Sequence, residues 1–158
     1  MNSIKIFKIP SIIFLVTFTF IFSSCDGDKF QKENIDGFEG TWELQGRTMF
    51  DGVIIKIDRN KSGDFKGKIL SLNENKFVKI FAKTNDIWVY GISRNSNYEF
   101  KLTEKKIGGA LFSLYGLDTS KDFKVQFINK NTIGLSAGGS NPKTSTVRYV
   151  RVVEEENE

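Results

Sequence analysis

The chain has 158 residues, a formal net charge of +4, and aromatic side chains at 13% of its positions. This length suits one domain with enough apolar material for a core. The chain contains no His and a single Cys, Cys25. This composition excludes Ser-His-Asp and Cys-His catalysis, zinc sites built from His or Cys, and structural disulfides.

Residues 1–24 have the pattern of an export signal. Lys5 and Lys8 supply a basic start, and residues 9–22 are predominantly apolar. A run of about 14 residues suits the apolar region of a signal peptide and is shorter than the ~20 residues that a membrane-spanning helix needs. We therefore expect residues 1–24 to direct export and to be removed.

The segment Phe22-Ser23-Ser24-Cys25 resembles a bacterial lipobox. In that pattern, small residues precede a Cys that becomes the N-terminus and receives acyl chains such as palmitate. Ser23, Ser24 and Cys25 fit the pattern, whereas an aliphatic residue usually stands where Phe22 does. The resemblance implies a lipoprotein held in a membrane by acylated Cys25, because two or three chains anchor far more firmly than one. The alternatives are an ordinary secretory signal cut near Ser24 and an uncleaved anchor.

The lipobox resemblance places the protein in the cell envelope. The outer membrane is the expected site, with the module facing either the periplasm or the outside. Asp26 directly follows the Cys. An acidic residue there retains lipoproteins in the inner membrane in some sorting systems and accompanies export to the surface in others, so the membrane and leaflet stay open.

The rest of the chain divides into a tether, a module and a tail. Residues 25–39 are rich in Asp, Gly, Lys, Gln, Glu and Asn, which predicts a flexible tether. Residues 40–153 form the predicted module, and residues 154–158 form an acidic tail. The basic residues of the module are spread singly along its predicted strands. Nucleic acid is therefore not an expected partner, since it would require a clustered basic stripe.

Short runs of alternating apolar and polar residues dominate the module. Val53, Ile55 and Ile57 share one face of a predicted strand, and Phe65 and Ile69 share one face of the next. The residues between these two strands favour a turn. This pattern predicts a β-hairpin with one buried face.

About ten such runs follow one another at a spacing of roughly 10 to 13 residues, with no convincing helix. Residues 77–82 and 110–115 are among the predicted strands. Short turns between successive strands favour an up-and-down order, and closure of the sheet removes its edges. We therefore predict an all-β fold, an antiparallel up-and-down meander of about 8–10 strands closed into a barrel.

The opening of the module, Gly40-Thr41-Trp42, resembles the first strand of the calycin group, which comprises lipocalins, fatty-acid-binding proteins and avidins. In lipocalins an Arg on the last barrel strand packs across the Trp of this Gly-x-Trp motif. Arg148 and Arg151 both lie on the last predicted strand. The resemblance implies a lipocalin-like barrel whose floor is closed by Trp42 and one of these guanidinium groups, in a cation–π contact. The helix-turn-helix lid and the Arg-x-Tyr pair of fatty-acid-binding proteins are not recognisable, so the resemblance supports the fold more than a fatty-acid ligand.

A barrel of this size holds either side chains or one small ligand. The first functional hypothesis is a binding module for a small apolar or amphipathic ligand, with Arg148 or Arg151 as its polar anchor. The candidate lining residues are aromatic side chains on the predicted strands: Trp88, Tyr90, Tyr98, Phe100, Phe112, Tyr115 and Phe127.

The alternative hypothesis is a structural or interaction protein in which these aromatics fill the barrel. Its surface would then face another envelope component. The residues expected on that surface are basic or apolar and come from two predicted strands: Lys66, Lys68, Leu70, Leu72, Phe77, Lys79, Phe81 and Lys83. Enzymatic activity, a cofactor and a metal site are not expected, because the candidate carboxylates lie at predicted turns, where Asp bonds to its own backbone.

Overall fold

The structure is a computed structural model that describes residues 32–153. The predicted leader, residues 25–31 of the predicted tether (Cys25 among them) and residues 154–158 lie outside the described residues. Eight strands, two short α-helices and two 3₁₀ turns make up the described part. In chain order they are a 3₁₀ turn at Ile35–Phe38, β1 (Gly40–Gln45), β2 (Val53–Arg59), β3 (Phe65–Ser71), α1 (Lys76–Phe81), β4 (Ile87–Arg94), β5 (Phe100–Lys105), α2 (Gly109–Leu114), β6 (Ser120–Asn129), β7 (Thr132–Ser136), a 3₁₀ turn at Pro142–Thr144 and β8 (Arg148–Arg151).

Each strand pairs antiparallel with the next one, and β8 pairs with β1, so the sheet is a closed eight-stranded barrel. The predicted all-β, up-and-down barrel is therefore confirmed. The predicted first hairpin is also confirmed, since β2 pairs with β3. Val53, Ile55 and Ile57 have no solvent exposure, and Phe65 and Ile69 are at most 2% exposed. Apolar alternation at a period of two thus places one face of each strand in the barrel interior.

The connections of an up-and-down barrel alternate between its two ends. The β1–β2, β3–β4, β5–β6 and β7–β8 connections lie at one end, which we name the open end. Both α-helices and the Pro142–Thr144 turn belong to these connections. The other three connections, the start of β1 and the end of β8 lie at the opposite end, which we name the closed end.

The closed end is filled by aromatic side chains. Phe38 has no solvent exposure, and its ring packs against Phe100 at a centroid distance of 4.9 Å and against Phe127 at 4.6 Å. The 3₁₀ turn that carries Phe38 is capped by the Asn34 side chain, which accepts a hydrogen bond from the Asp36 N–H. The sequence predicts a flexible tether as far as residue 39, yet the chain is packed against the barrel from this turn onward, because Phe38 completes the core.

Two segments predicted as strands are helices, and the prediction was wrong there. Residues 77–82 fall on α1, whose first turn is capped by Asn75: its side-chain oxygen accepts from the N–H groups of Phe77 and Val78. Residues 110–115 fall on α2. A short apolar run does not distinguish a strand from a helix by periodicity. No helix within residues 32–153 has the length and apolar character that crossing a membrane requires.

Candidate ligand-binding site

A pocket of about 930 Å³ lies at the open end of the barrel. Inward-facing side chains of β4, β5, β6 and β7 form part of its wall, and the β1–β2, β5–β6 and β7–β8 connections surround them. We name it the open-end pocket. Its polar lining includes Arg47 and Glu104, and three basic side chains, Lys105, Lys106 and Lys121, also line it. Its apolar lining comprises Met49, Phe50, Trp88, Ile107, Phe112, Phe123, Leu135, Ala137 and Val147.

A hydrogen-bonded network joins four strands or loops beside this pocket. The Glu104 side chain is only 2% exposed, and its carboxylate accepts from Arg47 Nη1 at 2.6 Å. Its second oxygen accepts from the Tyr149 hydroxyl, which in turn accepts from Trp88 Nε1 at 2.9 Å. Both carboxylate oxygens of Glu104 are therefore satisfied, as a buried charge requires.

Tyr149 remains a donor within this network. Burial, and then the negative charge of Glu104, raise the pKa of the Tyr149 hydroxyl well above its usual value of 10. The phenol is consequently protonated throughout the physiological range. It can therefore donate to Glu104 while it accepts from Trp88.

The Arg47 guanidinium is held in place at the wall of the pocket. Its carbon lies 4.8 Å from the ring centre of Phe123 and 5.9 Å from that of Phe50. Nη1 is bound to Glu104, whereas Nη2 is buried and has no hydrogen-bond partner. No other buried side-chain nitrogen or oxygen within residues 32–153 lacks a partner. An unpartnered buried donor on a charged group is energetically costly unless a ligand or water satisfies it.

Two of the seven predicted lining residues, Trp88 and Phe112, line the open-end pocket. Phe100 and Phe127 are buried at the closed end around Phe38, so they fill the barrel there. The remaining three residues lie elsewhere. Tyr90 is half-buried at a bulge of β4. Tyr98 and Tyr115 belong to connections between strands and are largely exposed.

Of the two arginines that could pack on Trp42 at the barrel floor, Arg148 and Arg151, it is Arg151 that does so. Its guanidinium lies 4.1 Å from the Trp42 ring centre, and it donates to the carbonyls of Glu39 and Gly37. Arg148 is exposed and donates instead to the Ser145 carbonyl. Neither arginine lines the open-end pocket, and the role of one of them as the polar anchor of a ligand stays a prediction.

The arrangement of Trp42 and Arg151 explains why a glycine occupies position 40. Its φ is +132°, a conformation that side chains disfavour, and a Cβ at this position would lie 2.3 Å from Arg151 Nη1. The Gly-x-Trp pattern therefore places the ring of Trp42 and at the same time leaves room for the guanidinium that covers it.

Sequence reasoning missed Arg47, Glu104 and Tyr149 as site residues. Glu104 carried a usable signal, because it continues the inward alternation of Phe100 and Leu102 along β5. A carboxylate at an inward position needs a buried partner. Arg47 lies in the β1–β2 connection, outside any periodic pattern. Its contact with Glu104 joins residues that are 57 positions apart, so it follows only from the folded structure.

Both helices present apolar side chains to solvent at positions i, i+3 and i+4. We name these six residues, Phe77, Ile80, Phe81, Leu111, Leu114 and Tyr115, the apolar tip. Phe77 is 65% exposed and Leu114 is 80% exposed, whereas Val78 and Ala82 on the other face of α1 are buried. The predicted exposure of Phe77 and Phe81 agrees with the structure, although they lie on a helix. On each helix, neighbouring exposed apolar side chains of this kind are typical of interaction surfaces.

Within residues 32–153, acidic side chains do not form a group of three that could hold a metal ion. Comparisons of the chain with protein-family models, curated proteins and solved structures find no match. The chemistry of the open-end pocket and of the apolar tip is therefore the basis for a functional proposal.

Proposed function

We propose that the protein is a lipid-anchored envelope lipoprotein that binds a small apolar or amphipathic ligand in the open-end pocket. The observation that carries the ligand proposal is the pocket itself: about 930 Å³, with a mainly apolar wall and a fixed guanidinium. Ligand sites in proteins are typically about 300–1,000 Å³, mostly apolar, with a few positioned polar groups. The filled closed end and the open mouth make this pocket accessible from one side.

Acylation of Cys25 is the second part of the proposal, and it rests on the lipobox resemblance. The described chain begins near the closed end, where β1 starts. A tether that enters at that end leaves the mouth of the pocket unobstructed. Attachment and ligand binding are therefore compatible functions of one small chain.

Mass spectrometry of the protein purified from its own host tests both parts. We expect the wild-type protein to carry acyl chains on Cys25, and we expect the Cys25→Ser protein to lack them. Under native conditions the Cys25→Ser protein should still retain one small molecule. The Ala137→Trp variant should retain less of it, because Ala137 lies at the rim of the pocket.

Ala110→Trp is the matched control, since Ala110 is also an exposed alanine but does not line the pocket. It should retain as much small molecule as the parent protein. Unmodified Cys25 in the wild-type protein would refute the anchor. A barrel that carries no molecule and does not bind the neutral dye N-phenyl-1-naphthylamine would refute the ligand proposal.

The apolar tip favours a second candidate function, contact with another envelope component, and we propose an anionic lipid bilayer as that component. Lys76, Lys79 and Lys83 lie on or beside α1 and are exposed. Apolar side chains that enter the headgroup region, together with lysines that meet anionic lipid, are the recognised pattern of interfacial binding. Lys79 pairs with Glu74 at 2.7 Å, so Lys76 and Lys83 are the side chains whose positive charge complements an anionic membrane.

Cosedimentation of the Cys25→Ser protein with phosphatidylglycerol-containing vesicles tests this second candidate. We expect the double variant Phe77→Ser/Leu114→Ser to bind at least about fivefold more weakly than its parent, because two exposed apolar side chains are lost. Tyr98→Ser is the control, since Tyr98 is 53% exposed but lies at the closed end. Equal binding by all variants would overturn the proposal, and so would self-association through the tip without vesicle binding.

A further inference from the structure

We infer that the open-end pocket binds an anionic amphiphile chain first, so that the hydrocarbon lies in the pocket and the anionic head stays at the mouth beside Lys106 and Lys121. This inference rests on the proposed ligand-binding function and specifies the chemical class and the orientation of the ligand. It begins from the positions of these two lysines, which both line the pocket.

Both lysines lie on the inward face of the barrel wall, next to the mouth. Lys121 is directly opposite the buried Glu104 in the pairing of β5 with β6, and side chains directly opposite each other share a face of the sheet. The pairing continues past the end of β5, since the Lys106 N–H donates to the Thr119 carbonyl at 2.8 Å. Lys106 therefore follows Glu104 by two residues on the same inward face.

Both side chains are accessible from solvent, because Lys121 is exposed and Lys106 is half-buried. The Lys121 ammonium lies 5.0 Å from the ring centre of Phe123, which also lines the pocket. Within residues 32–153 neither lysine forms an ion pair, whereas the adjacent Lys105 pairs with Asp86 at 3.9 Å. Like charges on one face of a sheet repel each other, and an anion beside both of them offsets that repulsion.

The charged side chains that line the pocket are four basic residues and one acidic residue, Glu104. The carboxylate of Glu104 accepts from Arg47 and from Tyr149, so its charge is already compensated. Asp118 and Asp122 share a neighbouring cleft with the two lysines but do not line the pocket, and Asp122 pairs with a lysine of β5 at 3.5 Å. The mouth therefore favours a negative head over a neutral or a positive one.

The wall beyond the two lysines is apolar. Phe123 follows Lys121 by two residues on the inward face of β6 and is buried, as are Trp88 and Leu135. Phe50 packs edge to face on Trp88 with ring centres 5.5 Å apart. A hydrocarbon chain replaces water along these side chains, which is favourable in proportion to the apolar area covered. Accessible cations at the mouth and buried apolar side chains behind them orient the ligand with its head outward.

Displacement of N-phenyl-1-naphthylamine from the Cys25→Ser protein, after endogenous ligand is removed, tests the charge of the head. Each amphiphile is used below its critical micelle concentration. We expect dodecanoate and dodecyl phosphate each to bind at least about fivefold more tightly than dodecanol, because ion pairs at an accessible site contribute roughly that much. The double variant Lys106→Gln/Lys121→Gln should reduce both ratios to near one and leave the affinity for dodecanol within about twofold.

The size of the head tests the orientation of the ligand. Lauroyl lysophosphatidylglycerol carries a chain of the same length on a phosphate head that is larger than that of dodecyl phosphate. We expect the two amphiphiles to bind within about threefold of each other, because the volume of the pocket does not limit a head that stays outside it. Binding of dodecyl phosphate with exclusion of the larger amphiphile would overturn the chain-first orientation.

Lys68→Gln/Lys130→Gln is the matched control, because it removes the same charge from two exposed lysines that do not line the pocket. It should keep the wild-type ratios. The wild-type ratios need no variant, so the inference stays testable even if the Lys106→Gln/Lys121→Gln protein fails to fold.

Dye binding with no preference for the two anionic amphiphiles would overturn the inference and leave the proposed function standing. A preference that persists in the folded Lys106→Gln/Lys121→Gln protein would also overturn it. The same holds if inorganic phosphate displaces the dye as effectively as dodecyl phosphate does, since the site would then select a compact anion. Failure to bind the dye or any amphiphile would overturn the proposed function itself.

Discussion

Replacement of Trp42 by Ala is expected to lower the free energy of unfolding by about 4 kcal/mol. The Trp42 ring is fully buried at the closed end, and its Nε1 donates to the Phe38 carbonyl at 2.8 Å. The substitution leaves a large cavity, removes this hydrogen bond, and takes away the ring on which the Arg151 guanidinium lies. Urea unfolding of the Cys25→Ser protein, followed by circular dichroism, measures the change.

Two conservative variants separate these contributions. Trp42→Phe keeps an aromatic ring but loses the Nε1 donor, so it should cost less than Trp42→Ala. Arg151→Lys keeps the positive charge but loses the planar stacking and the bonds to two carbonyls, and should cost about 1–2 kcal/mol. A loss below about 1 kcal/mol for Trp42→Ala would mean that the closed end does not depend on this pair.

Replacement of Glu104 by Gln is expected to lower the free energy of unfolding by about 3 kcal/mol. The substitution leaves Arg47 without its counter-ion in a site where the Glu104 side chain was 2% exposed. The Arg47 side chain is 21% exposed, so we expect a loss at the lower end of the range for broken buried pairs. The same urea titration measures this loss.

The double variant Arg47→Met/Glu104→Leu should recover only part of that stability, because it leaves no uncompensated ion but deprives the buried Tyr149 hydroxyl of its acceptor. Asp58→Asn is the matched control: Asp58 pairs with Lys56 at 3.7 Å on the surface, where an ion pair contributes less than about 1 kcal/mol. If Glu104→Gln and Asp58→Asn destabilised the protein equally, the network beside the pocket would not be a stabilising element.

The strands of this barrel could be predicted because burial on one face imposes a period of two on the sequence. β2 and β3 show this clearly, since Val53, Ile55, Ile57, Phe65 and Ile69 all face the interior. α1 and α2 could not be recognised in the same way. Each spans only six residues, and each carries apolar side chains on its exposed face, so the amphipathic pattern of a helix is obscured.

The choice between Arg148 and Arg151 required the register of the barrel. β8 pairs with β1 so that Arg151 lies directly opposite Trp42, and Arg148 lies opposite Gln45 on the outer face. Alternation along β8 shows only that Arg148 and Arg151 face opposite sides of the sheet. Which of them faces inward depends on a pairing between two strands from opposite ends of the module.

The sequence by itself predicted a strand meander and showed that the chain contains no His and a single Cys, Cys25, whose surroundings resemble a lipobox. These properties follow from composition and from patterns within a few residues. Only the tertiary structure decided where the pocket lies and which groups line it. Arg47, Glu104 and Tyr149 come from the β1–β2 connection, β5 and β8, and their network exists because closure of the barrel brings these segments together.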